Sequence, residues 1–131
     1  MTDMITDQRN FMYLGNQSTT TFNQAQTILY NNLINEEVEE LNHAIDTNEP
    51  DENIIKEACD VLVVTLGLLL SMGIDVHKAW ELVHKNNMSK VSNQDAIVKD
   101  ENGKIMKSPE SKARKEEMLK GIRGLLNVYS S

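Results

Sequence analysis

The sequence contains a single cysteine, Cys59, so no disulfide can close within the chain. That favours a reducing, cytoplasmic setting. Positive charge is also short: 13 lysines and arginines stand against 20 aspartates and glutamates, a formal net charge of -7. A surface of that sign repels a polyanionic backbone, which argues against nucleic-acid binding as the main task. A protein of this charge that handles phosphates needs a bridging cation. Long hydrophobic runs are missing too. The longest uncharged apolar stretch, 61–74, is fourteen residues, short of a membrane span and suited to a buried helix. No basic region precedes an apolar one at the N-terminus, so neither a secretory signal nor a membrane partner is expected. There is no Walker loop, no Gly-rich dinucleotide loop, no internal repeat and no low-complexity linker.

The 131 residues present are enough for one domain with a real core. Helical periodicity with capping signals predicts an all-α antiparallel bundle of four to five helices. The first runs from about Thr2 to Leu14 and stops at Gly15. Thr21 or Asn23 caps the second, which runs to about Asp46 with Leu29, Leu33, Leu41 and Ala44 on its inner stripe. A turn at 47–50 leads to a third helix, started by Asp51 or Asn53 and running to about Met72. Its second half, from Val61 to Leu70, is apolar on all sides and belongs at the centre of a bundle or across a subunit interface. Cys59 lies on this helix and is read as a core residue. Gly73 breaks the chain, and Asp75 caps a fourth helix to about Lys90, with Val76, Ala79 and Val83 on one face and Asn87 and Lys90 continuing it. An irregular or β-ribbon segment follows, signalled by Asn102-Gly103. Ser108-Pro109-Glu110 opens a last helix, apolar at Met118, Ile122, Leu125 and Leu126 and weakened by Gly121 and Gly124.

Two carboxylate pairs dominate what is present. Glu36-Glu37-x-x-Glu40 is followed, after a gap of sixteen residues, by Glu57-x-x-Asp60. Spacing of i,i+3 puts both members of a pair on one side of a helical turn. At about 100° per residue, Glu37 and Glu40 share a face with Tyr30, Leu33, Leu41 and Ala44. Glu57 and Asp60 share one with Val61, Val64 and Leu68, while Glu39 points away. A solvated acidic face is the ordinary reading of one such pair. Four carboxylates on apolar faces are costly unless paired or bound to a cation, and two helices antiparallel across a short turn bring the pairs together. Oxygen ligands without histidine or cysteine select magnesium, or manganese, over zinc. Magnesium normally bridges protein carboxylates to phosphate oxygens, and Asn87 and Lys90 can hold such a substrate, although helix C-capping would explain them equally well.

Glu36-Glu37-x-x-Glu40-Leu41, Glu57-x-x-Asp60 and Asn87-Met88-Ser89-Lys90 together resemble the MazG-like all-α nucleoside triphosphate pyrophosphohydrolases. That group includes dimeric dUTPases and phosphoribosyl-ATP pyrophosphohydrolases. The resemblance implies a single MazG-like domain over 1–131, with its motif core at about 28–91 and a C-terminal lid and helix at about 92–131. It implies a homodimer or homotetramer that hydrolyses a nucleotide to the monophosphate and pyrophosphate with magnesium. By position, Glu37, Glu40, Glu57 and Asp60 would be metal ligands. Glu36 would reach a further metal or orient the attacking water, and Glu36 and Glu37 are the catalytic candidates. Asn87 and Lys90 would contact phosphate or sugar, and Phe11, Gln17 and Asn23 are candidates for holding the base. His43 is read as a surface residue, His77 and His84 as structural, and Trp80 as core or interface. The alternative is a non-catalytic helical module for oligomerisation or regulation. Retention of all four inward carboxylates argues against it, since apolar replacements would suit a scaffold better.

Overall fold

The computed structural model describes residues 3–92, 97–107 and 109–129. It is all-α: helices α1 (Met4–Leu14), α2 (Gln24–Asp46), α3 (Asp51–Ser71), α4 (Val76–Met88) and α5 (Pro109–Tyr129). No strand forms among the described residues. The expected ribbon reduces to one antiparallel bridge between Lys99 and Ile105, closed where the Asp100 N–H donates to the Lys104 carbonyl at 2.9 Å. By its contacts the chain divides into two compact units, Met1–Ile74 with α1 to α3 and Asp75–Ser131 with α4 and α5.

Local chemistry explains most helix ends. The Asp3 carboxylate accepts from the Thr6 N–H at 2.7 Å and starts α1. Gly15 is the C-cap, but Asn16 takes the left-handed turn (φ 60°). Asn23, not Thr21, caps α2 by accepting from the Gln26 N–H at 3.0 Å. Pro50 precedes α3 and supplies no side-chain cap, and Asp51 and Glu52 place negative charge in the first turn instead. Gly73 adopts φ 72°, and a Cβ there would meet the Thr21 backbone at 2.5 Å. Asp75 accepts from the Lys78 N–H at 3.2 Å and starts α4.

In the first unit, α2 and α3 form a hairpin about the turn at 47–50. Residues equally far from that turn meet. The Gln26 amide donates to Ser71 Oγ at 2.8 Å. The Tyr30 ring lies over Gly67 so closely that a Cβ there would stand 2.2 Å from Cε1. The Tyr30 hydroxyl donates to Gln17 Oε1, tying in the segment after α1, and Met12 of α1 is fully buried. The inner row of α2 is Tyr30, Leu33, Leu41 and Ala44. Leu29, expected on it, is exposed, because it lies one residue and so 100° from Tyr30.

Helix α3, expected at the centre of a bundle or across a subunit interface, is covered on one side only within this unit. Val64, Gly67, Leu70 and Ser71 are buried. On the other side Leu62 is 50% and Val63 40% exposed, and Cys59 is exposed rather than core. The helix is apolar on more sides than this unit covers. In the second unit Val76, Ala79 and Asn86 form the buried row of α4, while Val83 and Asn87 are exposed. Asn86 therefore takes the inward place expected of Asn87. Gly121 of α5 meets Leu82 of α4, where a Cβ would come to 2.9 Å of Leu82 Cδ2. The glycine that weakens the helix is also where the two helices approach.

Candidate functional site

The hairpin register brings the two carboxylate pairs level. Glu40 and Glu57 are equally far from the turn, and so are Glu37 and Asp60. Glu37, Glu40 and Glu57 each offer a carboxylate oxygen within 4.8 Å of the others, close enough to surround one small cation. Burial is graded: Glu37 and Glu57 are half-buried, while Glu40, expected to look inward, is exposed. At 100° per residue it stands on the edge of the inner row, 60° from Glu37. Oε2 of Glu37 and Oε2 of Glu57 are both buried without a hydrogen-bond donor. A buried anionic oxygen lacking a donor is costly, and a hard divalent cation is the partner that satisfies several at once. The donor set therefore fits magnesium or manganese.

Burial and charge crowding act on the same group. Burial pushes the Glu37 carboxyl above its ordinary value of 4.5, and the negative charges of Glu40 and Asp60, a hydrogen bond to Glu40 and the charge of Glu57 push it further the same way.

Asp60 is half-buried at the same level but is already engaged. Lys56 Nζ lies 2.7 Å from Asp60 Oδ2 and 3.5 Å from Glu57 Oε1. The hydrogen bond and charge of Asp60, then the charge of Glu57, raise the Lys56 ammonium above its ordinary value. Lys56 was missed in the sequence, although its i,i+4 spacing to Asp60 was a visible signal. It puts a cation at the edge of the cluster, closest to Asp60 and within reach of Glu57, so three of the four expected ligands converge while the fourth is held by an ammonium.

Beside the cluster lies an open cleft of about 410 Å³, lined by Glu36, Glu39, Glu40, His43, Glu49 and Glu57. Glu36 therefore faces the cleft that Glu40 and Glu57 border. Glu39 was expected to point away. It does leave the inner row, but the cleft wraps outward over the helix surface and includes it. His43 is exposed, as read, and shares this wall with Glu36, Glu39 and Glu40 at helical spacing. Glu49 enters from the α2–α3 turn, where it accepts from the Asn53 amide at 3.2 Å.

Asn87 and Lys90 belong to the second unit. Asn87 is exposed in the last turn of α4, and Lys90 is half-buried just past the helix end, its N–H donating to the Asn87 carbonyl at 3.0 Å. Of the residues expected near a base, Gln17 accepts from Tyr30 and Asn23 caps α2, so both side chains serve the fold. Phe11 is 67% exposed. Trp80, expected in the core or an interface, is 64% exposed, and its ring stacks on His84 with centroids 6.1 Å apart and planes 5° from parallel.

Among the described residues no single helix is long and apolar enough to cross a membrane. No curated protein matches the chain. A family model described as phosphoribosyl-ATP pyrophosphohydrolase matches residues 9–87, which takes in α2, α3 and both carboxylate pairs.

Proposed function

Because the chain belongs to the phosphoribosyl-ATP pyrophosphohydrolase family, we propose that it is a magnesium-dependent hydrolase cleaving a nucleoside triphosphate or related nucleotide to the monophosphate and pyrophosphate. Water adds to one phosphorus of the α–β anhydride and gives up a proton, the bridging P–O bond breaks, and the nucleotide separates into monophosphate and pyrophosphate. The observation that supports the reading most directly is the convergence of Glu37, Glu40 and Glu57 with two buried oxygens that lack donors.

A magnesium ion held there would neutralise phosphate charge and make a water more acidic. Glu37, Glu40 and Glu57 would hold it, with Asp60 joining as Lys56 swings aside. That exchange costs little, since water and salt screen a largely exposed ion pair. Glu36, on the cleft wall, is the candidate to orient the water and accept its proton. Lys90 and Asn87 would meet the phosphate chain or sugar, the lysine following negative charge into the transition state. The exposed apolar side of α3 supports assembly into a homodimer or homotetramer.

The test is pyrophosphate release from all common ribo- and deoxyribonucleoside triphosphates and phosphoribosyl-ATP, with and without magnesium. Glu37→Gln, Glu40→Gln, Glu57→Gln and Asp60→Asn are each expected to lower turnover at least about 100-fold, since ligands of one ion act as a unit. Glu52→Gln, in the exposed first turn of α3, is the control and keeps wild-type activity. Activity that ignores magnesium, or that survives Glu40→Gln, would overturn the reading.

A further inference from the structure

Helix α4 has an outer stripe that the candidate metal centre leaves unexplained. Trp80, Val83, His84 and Asn87 follow one another at i,i+3 and i,i+4 spacing, and all four are exposed. An exposed tryptophan is a large apolar surface left in water. This one is also oriented: His84, one turn on, lies parallel to it at 6.1 Å. The imidazole limits the ring's freedom and backs it from one side. Among the described residues no other ring contacts it.

We infer that Trp80 is the platform on which the base of the nucleotide stacks. The inference rests on the nucleotide reading above. The choice of occupant follows from the stripe itself. Asn87, a candidate for the phosphate or sugar, lies seven residues on, on the same face, about 10 Å along the helix, and Lys90 follows at the helix end. A flat aromatic group at one end of a stripe and polar groups two turns away match a molecule with a flat base at one end and phosphates at the other. Gln17 and Asn23, the polar candidates for that task, are occupied in the fold. Stacking uses the face that every base has, so Trp80 selects a nucleotide over bare polyphosphate rather than one base over another.

Trp80 is the only tryptophan in the chain, so its emission reports this one position. The whole protein, with magnesium, is titrated with nucleoside triphosphate analogues carrying a methylene in place of the α,β bridging oxygen, and separately with tripolyphosphate. Saturable quenching by the analogues, with no change on tripolyphosphate, is expected. In steady-state assays Trp80→Ala raises KM for the nucleotide about 5- to 100-fold and leaves kcat nearly unchanged, while Trp80→Phe restores most of the affinity. An active wild type whose emission ignores an analogue that inhibits it, or an unchanged KM in Trp80→Ala, overturns the platform alone. So does blue-shifted emission that moves to the red only on dilution, because a second copy then covers the ring. A wild type that hydrolyses no nucleotide overturns the functional reading itself.

Discussion

Glu37 gives up its proton less readily than an ordinary carboxyl because it is partly buried and faces Glu40, Asp60 and Glu57. The folded state therefore binds that proton more tightly than the unfolded chain does. Stability of the cation-free protein is then fully present below 4.5 and falls as pH rises through the raised Glu37 value. A cation can replace the proton and offset the repulsion, and binding to the folded state alone adds stability by mass action. Two outcomes follow from thermal melts across pH with magnesium or a chelator. Magnesium raises Tm, most strongly above that range, and Glu37→Gln flattens the cation-free slope while losing the response to magnesium. A wild-type Tm indifferent to millimolar magnesium at neutral pH would count against Glu37 as a ligand. Lys56 makes a separate case. Its Nζ is the nearby cation that Asp60 uses, so Lys56→Ala should lower cation-free stability only slightly, the pair being solvent-screened. The same change should tighten magnesium binding a few-fold, readable by calorimetric titration, because the ion no longer competes with an ammonium.

The α2–α3 hairpin turns carboxylate spacing into a site, and its register depends on Gly67 lying under Tyr30. Alanine is the better helix former by about 1 kcal/mol, so helix propensity alone would make Gly67→Ala stabilising. The Cβ would stand 2.2 Å from the Tyr30 ring, and overpacking of this kind costs about 1–3 kcal/mol or more. Net destabilisation is expected in urea unfolding, together with weaker magnesium binding, because pushing Tyr30 out shifts Glu37, two turns on along the same helix. Combining Gly67→Ala with Tyr30→Leu should recover part of the loss, and strict additivity would deny the contact. Much of this element was legible in the sequence. The four-residue turn fixes which positions of two antiparallel helices stand level, and the caps at Asn23 and Asp75 and the break at Gly73 are local chemistry. What periodicity could not supply is how far each face is covered. Leu29, Cys59 and Trp80 are apolar or soft residues on helices with real cores, and nothing in their own spacing tells an inner row from an unpartnered outer one. Glu39 and His43 failed to stand out for a related reason: a cleft on a helix surface is broader than the inner row that the helical phase identifies. Lys56 was hidden because a lysine beside a glutamate reads as a solvated surface pair.

At the scale of the whole molecule, the exposed apolar side of α3 is the surface on which the proposed self-association rests. Ile55, Cys59, Leu62 and Val63 succeed one another along it, all exposed, on the same helix that supplies Glu57 and Asp60. Single exposed apolar residues are ordinary, whereas a continuous stripe of them on a helix is the kind of surface that interaction sites use. The net charge of -7 opposes close approach of two copies at low salt, so association has to come from apolar burial, at about 25 cal/mol for each Å² removed from water. Sedimentation at micromolar concentration is expected to show a dimer or tetramer that persists at low salt. Leu62→Glu, which places two like charges where copies would meet, should yield monomers with a lower, concentration-independent Tm. Cys59 supplies an independent reading because it is the only thiol. Its reaction with a maleimide should be slow in the assembled wild type, fast in Leu62→Glu, and faster in the wild type as it is diluted. A wild type that sediments as a monomer, with Cys59 equally reactive in both proteins, would leave the apolar side of α3 to some other partner and remove the case for self-association.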